Sequence, residues 1–334
     1  MLKLNKNIFI LVFIFSLVFC FGCNKFSSGI GQTDKPLSPW DMDFHKGTKG
    51  LTMKLVENQP PSEVWENSVF QIAVELRNEG AANIKESLLY ISDFKYVSVN
   101  KIRSVGDLTG KSATDPVGRL KIESFEVNAL EVKDDDKADS FVVTACYKYE
   151  TKAGIEICIN PNVMDIAKLK EGDCNPSSVS ASGGQGAPVA VTKVEEDFIP
   201  INDGGILKTK VLFKIHIANL GSGKLVKTDA FGKECIDGSS LDAEKESNVV
   251  HVKDVSFSKY SLVSADKNYK IDCTGFMNDT QSDLKIGVKG DAILSCSTVL
   301  DGNNAFTTPL LVELEYGYTD YITKSITIKN IPGT

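Results

Sequence analysis

The residues of this 334-residue chain whose types could do chemistry are eight cysteines, three histidines and a few dense carboxylate runs. Cys20 and Cys23 stand near the start, Cys146, Cys158 and Cys174 in the middle, and Cys235, Cys273 and Cys296 in the second half. Beyond Cys23 the closest spacing is twelve residues, and His45, His216 and His251 lie away from every cysteine, so a zinc ligand set is not predicted. Asp134-Asp135-Asp136-Lys137-Ala138-Asp139 lacks the alternating carboxylates, glycine and closing glutamate of a calcium loop and reads as a solvated strand connection. Glu195-Glu196-Asp197, with Asp203, reads the same way. Ser182-Gly183-Gly184-Gln185-Gly186 has no following lysine and no helix to cradle phosphate, and Gly221-Ser222-Gly223 has no helix behind it to make a nucleophile elbow. His216 falls opposite Ile215 and Ile217 in an alternating strand, which places it on an outer sheet face. The expectation is no catalytic residue, no cofactor and no metal.

What the cysteines do depends on compartment. Lys3 and Lys6 precede an apolar run from Ile8 to Gly22, a charged segment and a hydrophobic segment of secretory length. The run ends in Phe21-Gly22-Cys23 and turns abruptly polar, which resembles a lipoprotein signal, with Cys20 in place of the usual leucine three residues before the modified cysteine. The resemblance implies lipidation of Cys23; the alternatives are an uncleaved, tilted N-terminal transmembrane anchor or free secretion. All three put the body outside the cytoplasm. Acidic residues outnumber basic ones by 44 to 37, and loss of residues 1–22 would leave 35 basic residues against 44 acidic, so nucleic-acid binding is disfavoured.

Export makes disulfides available. Cys146 and Cys158 would face each other across a hairpin centred on Lys152, and the competing bond is Cys158 to Cys174. Cys273 and Cys296 are expected to pair. Three cysteines per half cannot all pair internally, so either one in each half stays a buried thiol, or Cys174 or Cys235 bonds between halves or between chains.

The elements that must position these residues are strands. Val69–Leu76, Leu120–Glu123 and Ile322–Ile328 alternate with period two, and no amphipathic helix of ten residues is evident. An internal repeat aligns Ile72-Ala73-Val74-Glu75-Leu76-Arg77-Asn78-Glu79-Gly80 with Phe213-Lys214-Ile215-His216-Ile217-Ala218-Asn219-Leu220-Gly221; Asn and Gly suit a turn with positive φ. Later, the Tyr147/Tyr149 strand aligns with the Tyr316/Tyr318 strand, each expected to pass through a polar turn into a final strand. The offset grows from 141 to 169 residues, so the second copy holds about 28 extra residues. The reading is all-β: a signal segment 1–23, a flexible tether 24–50, a β-sandwich 51–180, a linker 181–188 and a second β-sandwich 189–334.

The strand followed by Asn-x-Gly (Asn78, Gly80; Asn219, Gly221), with a late Tyr-x-Tyr strand (Tyr147, Tyr149; Tyr316, Tyr318), resembles the immunoglobulin-like, cell-adhesion-related and S-layer-associated modules of archaeal and bacterial surface proteins. The resemblance covers most of residues 60–330 and implies surface attachment, stalk-building or assembly. The expected function is that of a membrane-anchored cell-surface lipoprotein with a binding, adhesion or envelope-scaffold role. Its partner would be an envelope or S-layer protein or a surface glycan. The alternative is an extracellular enzyme, or an accessory module of one, with its site in the insert Leu225 to Val250 and marked by paired carboxylates of raised pKa. Asn278 heads the single glycosylation sequon, and Trp40 and Trp65 are read as plugs at a sandwich end.

Overall fold

Alternation becomes strand almost wherever it occurs. The computed structural model describes residues 42–331 except 93, 134, 163–173, 237–240, 279–281 and 303, so the signal segment, Cys20, Cys23, Trp40 and most of the tether lie outside the described residues. The first half holds β1 (Leu51–Leu55), β2 (Glu63–Trp65), β3 (Val69–Asn78), β4 (Ser87–Ser92), β5 (Val97–Val99), β6 (Ile102–Ser104), β7 (Leu120–Ala129) and β8 (Lys137–Ile159). The second holds β9 (Val179–Ser180), β10 (Val189–Asp203), β11 (Ile206–Asn219), β12 (Lys224–Val226), β13 (Val249–Phe257), β14 (Tyr260–Ser261), β15 (Asp272–Thr274), β16 (Asp283–Lys285), β17 (Asp291–Val299) and β18 (Phe306–Lys329). A single four-residue helical turn, α1 (Lys233–Ile236), interrupts them among the described residues. The protein is all-β.

Three sheets result. One has the order β1-β3-β7-β5, a second β15-β17-β11-β10-β9, and the third runs β14-β13-β18-β8-β4-β6 with β12, β16 and β2 on its margins. The third sheet belongs to both halves. Its central pair, β8 and β18, is antiparallel over an unbroken register from Ile159↔Phe306 to Lys137↔Ile328. Every odd residue of β8 from Asp139 to Ile159 is buried, which gives one apolar inner face through both halves. A single hydrophobic core follows from Leu51 to Ile328. Residues 39–334 accordingly cluster as one compact unit.

The hairpin expected at Lys152 is therefore a correction. Lys148, Glu150 and Lys152 continue the alternation on the outer face while the inner face stays apolar, so nothing in the stretch ends the strand. At about 3.3 Å per residue, Cys146 and Cys158 sit about 40 Å apart on one strand and cannot bond. Cys158 pairs with Cys174, closing a loop of 16 residues. Cys273 pairs with Cys296, directly opposite in the β15–β17 ladder. Cys146 pairs with Cys235, joining the first half to α1 of the second across 89 residues. No cysteine among these six remains a thiol.

The internal repeat is visible atom by atom where the halves meet. Tyr147 pairs with Tyr318 and Tyr149 with Tyr316, so a pseudo-twofold axis passes through the Lys148↔Gly317 pair. The four rings touch, with centroids 5.8 to 6.3 Å apart. Tyr149 donates to Asn78 Oδ1 at 3.3 Å and accepts from Ala82 N–H; Tyr318 donates to Asn219 Oδ1 at 3.1 Å and accepts from Gly223 N–H. Leu51 N–H donates to Tyr147 and Val189 N–H to Tyr316 in the same equivalent places. Burial pushes all four phenols up, Tyr318 to about 12, so they stay neutral.

Gly80 and Gly221 have no positive φ, which corrects the turn argument made from Asn-x-Gly. A Cβ on Gly80 would overlap the Tyr149 hydroxyl, and one on Gly221 the Tyr318 hydroxyl. Close approach, not handedness, demands glycine. Within the segment read as a linker, residues 185–188 are buried and 182–183 exposed. Gln185 is buried, exchanging two hydrogen bonds with the backbone of Val191, and the Gly186 carbonyl shares the Tyr149 hydroxyl proton with Asn78 Oδ1, each at 3.3 Å.

The extra residues of the second half form a strap from β12 through α1. Phe231 of the strap lies on Gly317, where a Cβ would come within 2.7 Å of the Phe231 Cβ, and Lys148 stands 5.0 Å above the Phe231 ring. The repeat thus has Lys in one copy and Gly in the other because only one side of the axis is crossed by the strap.

Candidate functional site

The charged residues singled out in the sequence do not converge on one place: some lie on outer faces, and Asp139 and Glu196 face inward. His216 is on the outer face of β11 and pairs with Glu195 at 3.1 Å; Lys193 also reaches Glu195, at 2.6 Å, and these contacts hold that carboxyl below its ordinary range. His251 Nδ1 lies 2.9 Å from Asp283, a buried carboxylate that Lys227 meets at 3.1 Å. Neither ring contacts a hydroxyl or thiol side chain among the described residues. Asp203 is occupied by Lys208 at 2.7 Å.

Of the acidic run, Asp134 lies outside the described residues. Asp136 pairs with Lys329 at 2.6 Å. Asp139 is buried, accepting from the N–H groups of Lys95, Tyr96 and Ser140, where the sequence had suggested a solvated connection. Its position on the inward period of β8 is the signal that could have found it. Among the described residues, no group of three or more His, Cys, Asp or Glu is arranged to hold a metal ion. Asn278 is exposed, while Asp279 and Thr280 of its sequon lie outside the described residues. Trp65 is 55% exposed on β2, so it does not plug the core.

Glu196 was missed as a special carboxyl. It faces inward from β10 and accepts from Cys158 N–H at 3.3 Å, its second oxygen having no hydrogen-bond partner among the described residues. Burial pushes it up to about 7. It is the one carboxyl among the described residues raised in this way, and the hallmark set for the enzyme reading was a pair.

Two of the concavities are each lined by several lysines and carboxylates. A groove of about 570 Å³ beside the pseudo-twofold axis is lined by Lys85, Glu86, Lys148, Glu150, Lys253 and Glu315, among others. Of its lysines, Lys148 pairs with Glu86 at 2.9 Å, Lys152 lies 3.9 Å from Glu313, and Lys253 lies 3.3 Å from Glu150 and 4.0 Å from Glu315. Half-exposed pairs of this kind contribute little individually.

The second, of about 520 Å³, lies at the far end of the β15-β17-β11-β10-β9 sheet. There the β10–β11 ribbon continues past the last β17 pairing, Lys210↔Val299, and carries its own register to Asp203↔Ile206. Alternation puts Ile199, Ile201, Asp203, Ile206, Lys208 and Lys210 on one face of this ribbon. Across the groove stands the turn Lys267–Tyr269, started by Asp266 accepting from Asn268 N–H and tied down where Thr298 Oγ1 donates to the Lys270 carbonyl. Lys259 lies 4.4 Å over the Tyr269 ring and pairs with Asp301 at 2.9 Å. The walls are held before any ligand arrives.

Fold and surface together define an all-β sandwich protein stapled by three disulfides. No family model matches the chain, and no curated protein matches it. Among solved structures it is similar to the secreted serine protease VesC from Vibrio cholerae, at 10% identity and a TM-score of 0.20, covering 82% of this chain and 51% of that one. The chain thus spans about half the length of that protein. It is also similar to the sporulation control protein Spo0M from Bacillus subtilis, at 10% identity and a TM-score of 0.15, covering 51% of this chain and 80% of that one. Likenesses at this level carry no argument about fold or function.

Proposed function

We propose that this is a cell-surface lipoprotein, anchored through Cys23, whose two immunoglobulin-like halves form a non-catalytic body for binding, adhesion or envelope scaffolding. The observation that carries the reading is the joint between the halves. A ladder from Ile159↔Phe306 to Lys137↔Ile328, a buried tyrosine cluster and the Cys146–Cys235 bond make a stiff spacer, which suits holding a partner away from the membrane. Three disulfides suit an oxidising exterior. The strap from β12 through α1 falls within the insert where the enzyme alternative placed its site.

The test is mass spectrometry of the mature N-terminus with protease shaving of intact cells. A diacylglyceryl group on Cys23 and release of body peptides from intact cells are expected, with Cys23→Ser abolishing the lipid. An unmodified Cys23, or a body protected in intact cells, would refute the anchored surface reading. Cross-linking in native membranes then identifies which half meets the partner.

A further inference from the structure

The net charge of the chain is negative, yet one groove gathers lysines without partners. Lys210, Lys267 and Lys270 line the distal groove and form no ion pair among the described residues; of the carboxylates there, Asp203 and Asp301 are taken by Lys208 and Lys259, leaving Asp272 alone. Here three stand over a concave floor that includes Ser297 and Thr298.

The second feature is the apolar strip that runs beside them. Ile199 and Ile206 are 42% and 64% exposed, and the register puts both, with Ile201, on the same ribbon face as Lys208 and Lys210. Large apolar side chains left in water next to unpaired cations fit a ligand with C–H faces and negative charge in alternation. Tyr269 and Asn268 on the opposite wall add a ring and an amide donor and acceptor.

We propose that the distal groove binds an acidic glycan, with the apolar strip under the C–H faces of the sugar rings and Lys210, Lys267 and Lys270 on their carboxylates. The inference rests on the surface-binding reading and names its partner class. It also assigns the contact to the end of the second half, at the tip of the β10–β11 ribbon.

The test uses the full-length protein in neutral phosphatidylcholine nanodiscs, with polygalacturonate as the probe, its fully methyl-esterified form as the uncharged control, and phosphatidylglycerol bilayers as a second anionic surface. Binding to polygalacturonate but not to the ester is expected, weakening with salt. Lys210→Gln/Lys270→Gln should lower affinity about tenfold, and Lys101→Gln, on an exposed β5–β6 connection, should not. Equal binding to acid and ester, indifference to the double variant with an unchanged melting temperature, or binding confined to phosphatidylglycerol would overturn the proposal. Should Ile206→Asn preserve affinity, the strip would be excluded as part of the site and the proposal refuted in that form. Because Cys23 lipidation and cell shaving are measured separately, failure here leaves the anchored surface reading standing, and failure there leaves this result interpretable.

Discussion

Two glycines and their tyrosines show how much one atom matters at the joint. Gly80→Ala would drive its methyl into the Tyr149 hydroxyl and to within 2.6 Å of the Lys49 carbonyl, so Tyr149→Phe cannot relieve it fully. We expect a loss of about 3 kcal/mol in urea unfolding, in the range of strained core substitutions. Gly221→Ala meets the Tyr318 hydroxyl and the Pro188 side chain at 2.8 Å, so Tyr318→Phe should recover part of its loss; no recovery would show that the contact is misassigned. Glu196 supplies a pH signature. Its folded pKa of about 7 lies above the ordinary 4.5, so the native state holds the extra proton between these values, and stability falls as pH rises through that window. Glu196→Gln should therefore stabilise the protein at pH 8, by about 1–2 kcal/mol after allowance for solvent screening, and change little at pH 4. Equal effects at both pH values would count against burial as the cause. The Asn-x-Gly pairs were legible in the sequence, but their reason was not, because the hydroxyls that exclude a Cβ come from strands 69 and 97 residues away.

At the scale of elements, the longest strands decided most. The polar residues around Lys152 look like a turn when read locally, and only the partner strand β18 shows that they are one face of a continuous ladder. The disulfides follow. Cys158–Cys174 closes 16 residues, Cys273–Cys296 closes 23 and Cys146–Cys235 closes 89. In the chain-entropy account, replacing each pair by alanine should cost about 3 kcal/mol for the two short loops and about 4.6 for the long one. Denaturant midpoints of the three double variants check the order; a long-loop variant as stable as the short-loop ones would mean that the strap packs without its bond. Gly317→Ala offers a separate probe of the strap, since its Cβ would come within 2.6 Å of the Val226 side chain and 2.7 Å of Phe231. Its loss should grow little when the Cys146–Cys235 bond is already absent, because both act on one contact.

At the scale of the molecule, the shared ladder predicts one unfolding event. Residues of both halves line a single core, so neither half retains its inner face when the other melts. Scanning calorimetry of the oxidised protein should show one transition whose calorimetric and van't Hoff enthalpies agree; two resolved transitions would mean that the halves are thermally independent. The sequence by itself determined the strand content, the tandem repeat, the equivalence of Asn78 with Asn219 and of Tyr147/Tyr149 with Tyr316/Tyr318, and the Cys273–Cys296 pair, all of which rest on local periodicity and spacing. Only the tertiary structure decided that the two copies share a sheet, that Cys146 reaches Cys235, that Asp139 and Glu196 are buried, and that Lys210, Lys267 and Lys270 converge on one groove. Alternation says which face of a strand is apolar but not which strand lies beside it, and that choice is made by burial summed over the whole core.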